Sequence, residues 1–291
     1  MTSDEQLAWE SRAGKLAAGA AIASVALTLA APAIQIATIG EQGEGELGLL
    51  RLVDKESNAF AAVQAVQSAA YLLTAVALLY LLKCTLARRA EVPRLVLPLI
   101  MIGPVLLVVG AVLTLFELTG IADELMKSGA QTEKRADDLI ADANPLGSLI
   151  ALVGTFCVAV SFVLVALNSM RAGLLSQFMG ILGVIVGALL VLPIPGLSQT
   201  QFIVQAFWMG ALAALFLDRW PKGRGPAWSV VEPVPWPSAR ALARGEQAGA
   251  IPADDPTIEP AADLDEPGGD ASDPRGEPHP ASKKRKRKRR S

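Results

Sequence analysis

The chain has 291 residues, of which 52% are hydrophobic and only 19% charged, and its mean hydropathy is +0.41. Average globular chains carry about a quarter charged residues, so this balance excludes an ordinary water-soluble domain and points to membrane-spanning helices. The formal net charge of -2 says little as a total, because acidic and basic residues are segregated along the chain.

A bilayer core of about 30 Å needs about 20 largely apolar residues per helix. Six stretches answer to that, at 16–39, 59–82, 95–116, 146–167, 174–192 and 200–217, and none holds an Asp, Glu, Lys or Arg. The expected fold is all-α: a six-helix transmembrane bundle over 1–217, a Trp- and Pro-containing juxtamembrane segment over 218–245, and a disordered acidic linker with a polybasic end over 246–291. Before the first span, Ser3 and Gln6 fit a capping box and Trp9 is placed for the interface. The first span contains Ala31-Pro32-Ala33, a match to a signal-peptide cleavage site. The acidic segment ahead of it and the apolar run continuing through Ile39 favour an uncleaved helix.

Ser57 and Asn58 are expected to cap the second helix, Pro104 to kink the third, Asn144-Pro145 to start the fourth and Pro193–Gly196 to stop the fifth. Glycines recur at intervals of seven, at Gly103 and Gly110, Gly147 and Gly154, and Gly173, Gly180 and Gly187. Small residues on one face let membrane helices approach closely, which predicts a tight bundle.

Cytoplasmic loops favour Lys and Arg. Lys83, Arg88, Arg89 and Arg94 follow the second span, Arg171 the fourth, and Arg219, Lys222 and Arg224 the sixth, whereas the connections at 40–58 and 120–144 are dominated by acids. Both termini are therefore expected in the cytoplasm. In the second acidic connection, Ala136, Leu139, Ile140 and Ala143 have helical spacing, predicting a short amphipathic helix. Its Asp137, Asp138 and Asp142 lack the spacing of a calcium loop.

The stretch 246–277 is acidic and rich in Pro, Ala and Gly, too poor in apolar surface to fold. It leads to Lys283, Lys284, Arg285, Lys286, Arg287, Lys288, Arg289 and Arg290. With no interleaved aromatics for base stacking, this block is expected to meet anionic lipid headgroups, the chain's own acidic linker or an acidic partner, with nucleic acid disfavoured.

The catalytic motifs searched for are missing: there is no G-x-x-x-x-G-K-S/T, G-x-S-x-G or H-E-x-x-H, and a single histidine (His279) and two separated cysteines (Cys84, Cys157) offer no metal spacing. No enzyme activity and no cofactor are expected. What remains is a set of polar residues in the outer third of the spans: Gln35, Gln64, Gln67, Ser68, Tyr71, Thr114, Glu117, Gln201 and Gln205. They read either as an interhelical hydrogen-bond layer or as a shallow pocket open to the outer face, for which Gln35, Gln64, Gln67, Tyr71, Glu117 and Gln205 are the candidates. The leading expectation is a scaffold or regulatory subunit; the alternative is a small transporter or channel using that pocket.

"NSMRAGLLSQFMGILGVIVGALLVLP" and "FWMGALAALFLDRWPKGRGPAW" resemble uncharacterised multi-pass integral membrane proteins of high-GC Gram-positive bacteria, over roughly the first 240 residues. The resemblance implies a bacterial plasma membrane and supplies no activity or catalytic residue.

Overall fold

The structure is a computed structural model that describes residues 2–38, 45–192, 198–221 and 223–236. The basic block at 283–290 and the acidic stretch before it lie outside the described residues. Eight α-helices are described: α1 (Ser3–Thr38), α2 (Gly45–Lys55), α3 (Ser57–Arg88), α4 (Val96–Lys127), α5 (Glu133–Ala141), α6 (Leu146–Arg171), α7 (Gln177–Val191) and α8 (Ser198–Phe216). A short 3-10 turn follows at Pro226–Ser229, and there is no strand among the described residues. Four helices, α1, α3, α4 and α6, are long and apolar enough to cross a membrane. The shorter α7, with 15 residues, extends about 22 Å.

Helix packing runs α3, α1, α8, α7, α6, α4 and back to α3, with α3 also touching α6 across the middle. Side chains such as Leu72, Val109, Leu152, Phe156, Ile181 and Phe207 are exposed on the outside of this ring, the inverse of a water-soluble surface. The α4–α6 contact shows how glycine spacing builds the bundle. A Cβ at Gly110 would lie 2.6 Å from the Ala151 amide nitrogen, one at Gly147 2.7 Å from that of Thr114, and one at Gly154 2.8 Å from that of Leu107. Only hydrogen at these positions lets the two backbones meet. Across the ring, the Ser24 and Thr74 hydroxyls share a bond of 3.1 Å and those of Thr85 and Ser169 one of 2.8 Å.

Several boundaries differ from the sequence expectation. The reciprocal cap at the start of α1 uses Thr2 and Glu5, not Ser3 and Gln6: the Glu5 amide donates to the Thr2 hydroxyl and the Thr2 amide to the Glu5 carboxylate. Ser57 and Asn58 do not cap α3, whose N-cap is Glu56. The amide of Glu56 bonds back to Leu52 of α2, so the chain passes almost directly from one helix into the next. Asn144 lies one residue before the N-cap of α6, which is Pro145 and not Asn144, although its side-chain oxygen still accepts from the Leu146 amide at 3.1 Å.

The helix α2 lies in a segment expected to be an acidic loop, and α4 runs to Lys127, past the expected end at residue 116. One cause explains both. Leu50 and Val53 of α2, Ala122 and Leu125 of α4 and Ala136 of α5 bury one another in a small separate core. The Glu133 carboxylate locks this unit by accepting from the Glu46 amide at 2.6 Å at the start of α2, where unpaired amides favour a negative charge. The predicted amphipathic helix is therefore α5, with its apolar face buried in this core.

The fifth apolar stretch starts as a helix at Gln177, not at 174. Residues 169–174 instead close α6: the Leu174 amide bonds to the Ser169 carbonyl and that of Gly173 to the Met170 carbonyl, a Schellman stop with Gly173 at φ +78. Ser176 then caps α7, its hydroxyl accepting from the Met179 amide. The expected stop at Pro193–Gly196 lies outside the described residues.

Candidate functional site

The polar residues of α3 form a stripe because Gln64, Gln67, Ser68 and Tyr71 recur at intervals of three and four. This stripe faces Leu107, Ala111 and Thr114 of α4 and Ser148, Ala151, Leu152 and Thr155 of α6, leaving a cavity of about 470 Å³ between the three helices. Its lining is mixed, with amide, phenol and hydroxyl groups and no charged side chain. The small residues Ala111 and Ala151 leave the space that larger side chains would fill.

A second chamber of about 280 Å³ shares Thr114 and Ser148 with the first and continues along α4 and α6 toward the α2–α5 end. Glu117, Leu118, Ile121 and Asn144 line it, with Ile140, Ala141 and Ala143 from α5 and the turn after it. One carboxylate oxygen of Glu117, Oε1, is buried without a hydrogen-bond partner. In the other direction the space narrows at Tyr71 to about 10 Å³, bordered by Thr74, Leu78, Ile100, Pro104 and Ser161. That is room for about one water at most.

The six candidate residues are thus only partly united. Gln64, Gln67 and Tyr71 share the larger chamber and Glu117 the adjoining one. Gln35 and Gln205 line neither, because α1 packs on α3 and not on the α4–α6 pair, and α8 packs on α1 and α7; Gln205 is buried at 3% exposure. Among the described residues, the bonds that join helices through side chains run through hydroxyls, an indole, the Glu133 carboxylate and the groups described next. Spacing alone could have found Ser148 and Thr155, seven apart on α6. The cavity needed the ring order.

The opposite end of the bundle is closed by an arrangement that charge counting missed. Glu10 of α1 and Arg88 of α3 form a two-pronged ion pair at 2.7 and 2.9 Å, their side chains 4% and 0% exposed. Helical phase explains the burial: Glu10, Gly14, Ala17 and Ala21 form one buried stripe, and Arg88 lies seven residues after Leu81. Arg88 Nε also donates to the Ala227 carbonyl at 2.7 Å, and Tyr80 donates to the Glu10 backbone carbonyl at 2.9 Å. The Trp228 indole donates to the Leu174 carbonyl at 2.9 Å and lies between two guanidinium groups, 5.9 Å from Arg88 and 5.2 Å from Arg224.

Arg224 in turn serves the end of α8, where Asp218 at φ 60 makes a second Schellman-type stop. Arg224 donates to the Leu215 and Phe216 carbonyls in the last turn of α8, of which Leu215 also accepts from the Asp218 amide. Tyr80, Phe216 and Trp228 fill the centre, with Tyr80 edge-on to Phe216 at 4.8 Å. A Cβ at Gly173 would collide with the Val234 carbonyl. The described residues after α8 are therefore folded against the bundle end.

The chain matches no protein-family model, no curated protein and no solved structure.

Proposed function

We propose that the chain is a non-enzymatic plasma-membrane protein of six crossing helices that acts as a regulatory or interaction subunit by binding a small polar molecule between α3, α4 and α6. The observation that carries this reading is the larger chamber, about 470 Å³ lined by polar but uncharged groups from three helices. Polar side chains within a membrane segment are costly unless partnered. A bound molecule bearing hydroxyl or amide groups supplies those partners.

Crossing by α7 and α8 is supported by their place in the ring, between α6 and α1, and by the outward exposure of Phe178, Ile185, Ile203 and Phe207. Cytoplasmic termini are supported by the position of Arg88, Arg89, Arg94, Arg171, Arg219 and Arg224 at one end of the helices. On this reading the chamber opens toward the outer face, and the polybasic end at 283–290 meets anionic lipid headgroups on the inner one. The bacterial membrane suggested by the sequence resemblance fits the same topology.

One-sided closure favours binding over transport. Below Tyr71 the space falls to about 10 Å³, and the end beyond it holds the Glu10–Arg88 pair and the Tyr80, Phe216 and Trp228 rings. A transporter would have to break that pair in each cycle. The test is native mass spectrometry of the full-length protein extracted in mild detergent from its own membrane. A bound small molecule is expected on the wild type and not on Ser68→Phe or Ala111→Phe, which fill the chamber. Identical spectra for wild type and for filled variants that retain their thermal stability would overturn the proposal.

A further inference from the structure

Resting on that reading, we infer that the ligand carries an ammonium group, held by Glu117, on a hydroxylated or amide-bearing body that is otherwise uncharged. Three observations converge. Glu117 lines the smaller chamber, its Oε1 is shielded from solvent without a hydrogen-bond partner, so that a small movement of the side chain is needed to present it to a ligand, and among the described residues it takes part in no ion pair. A buried carboxylate oxygen left in this condition is unfavourable until a donor or a cation reaches it. The two chambers share Thr114 and Ser148 as lining residues, which puts Gln64 and Gln67 in the chamber next to that of Glu117, where they would meet the remaining groups of an anchored molecule.

The lining also says what the ligand lacks. Neither chamber is bordered by a Lys or Arg, so a phosphate or carboxylate would lose its water without gaining a counter-charge. This argues against zwitterionic phospholipid headgroups and nucleotides. An inorganic divalent ion fits poorly as well. Such ions gather several oxygen ligands, usually including more than one carboxylate, whereas Glu117 is the only acid bordering either chamber, and no group of three acidic, His or Cys side chains suited to a metal occurs among the described residues. A space of about 280 Å³ suits an organic ammonium group and its neighbouring carbons. The same chemistry occurs in a soluble amino sugar and in the headgroup of an aminated glycolipid.

The test uses the full-length protein in neutral-lipid nanodiscs, with D-glucosamine as probe and D-glucose as its neutral counterpart, read by thermal shift and by calorimetric titration. Glucosamine is expected to bind at least tenfold more tightly than glucose, since charge-assisted hydrogen bonds are about twice as strong as neutral ones. Glu117→Gln should remove that preference, and Glu117→Asp should restore part of it. Nanodiscs containing a glucosaminyl diacylglycerol separate the two sources: stabilisation by the lipid beyond that by the free sugar assigns a headgroup, and the reverse assigns a solute, either result supporting the ammonium site. Equal binding of both sugars, unaffected by Glu117→Gln, would refute the ammonium group while leaving the chamber as a binding site. Binding of neither sugar, with or without the lipid, would count against both. Stabilisation by potassium or calcium chloride alone, lost in Glu117→Gln, with no response to glucosamine, would overturn the inference in favour of an inorganic cation.

Discussion

Breaking the Glu10–Arg88 pair should destabilise the bundle more than any other single polar change. Both side chains are almost wholly buried, at 4% and 0% exposure, and Arg88 also holds the Ala227 carbonyl. Removing one partner of a buried pair costs about 3–5 kcal/mol, because the other charge is stranded, whereas replacing both with apolar groups is far less harmful. Arg88→Met removes the countercharge of the Glu10 carboxylate, which keeps only the Gln6 side-chain amide as donor, and leaves the Ala227 carbonyl without its guanidinium partner, so it should fall at the upper end of that range. Glu10→Gln keeps the shape and one acceptor, and leaves Arg88 its bonds to Ala227 and Cys84, so its effect should be the smaller. The double variant Glu10→Leu with Arg88→Met should lose less than the sum of the singles, with a coupling of about 2–3 kcal/mol. Thermal unfolding in nanodiscs, followed by circular dichroism, would place Arg88→Met about 10–20 °C below the wild type, at about 2–4 °C per kcal/mol for a chain of this size. Single variants that unfold within experimental error of the wild type, or a strictly additive double, would refute the reasoning.

At the α4–α6 contact, Gly110→Ala should lower the melting temperature, since overpacking costs about 1–3 kcal/mol and the added carbon would meet Ala151. Gly120→Ala on the same helix meets nothing within 4 Å and should be neutral or stabilising by up to about 1 kcal/mol; the opposite order would contradict the packing. Trp228→Phe keeps an aromatic ring but loses the donor to Leu174, so it should destabilise by about 1 kcal/mol, and Trp228→Ala by about 3–5 kcal/mol. Reporter fusions after Lys55 and Lys134 should be external and those after Arg89 and Arg171 cytoplasmic; an external reading at Arg89 would break the six-span topology.

The long apolar helices were legible because hydropathy reports directly on whether a stretch can leave water, and α1, α3, α4 and α6 need no partner to be recognised. Glycine spacing likewise announced the α4–α6 contact, since Gly103, Gly110, Gly147 and Gly154 recur by sevens. Three features were hidden. Helix α2 was obscured by the acids around it, and its apolar stripe gains meaning only when α4 and α5 arrive to bury Leu50 and Val53. Arg88 was read as one of several loop charges, although helical phase places it seven residues beyond the buried Leu81; its partner Glu10 is 78 residues away, and pairing at that range is not written in local spacing. The pocket was half visible. The α3 stripe could be read from its period, but whether Gln35 or Ser148 shared its space depended on which helix lay beside α3, which amphipathicity alone does not determine.

The proposed function requires a polar cleft that opens at the α2–α5 end and is closed at the Trp228 end. Site-specific thiol accessibility tests it most directly, in a background with Cys84→Ala and Cys157→Ala. Single cysteines introduced as Gln64→Cys, Gln67→Cys and Thr114→Cys should react with a membrane-impermeant thiol reagent added from outside intact cells, while Leu78→Cys, a position 2% exposed beyond the narrowing, stays protected. In inside-out vesicles none of the four should react. Protection of all three cleft positions from the outside, or their labelling from the cytoplasmic side, would contradict the account.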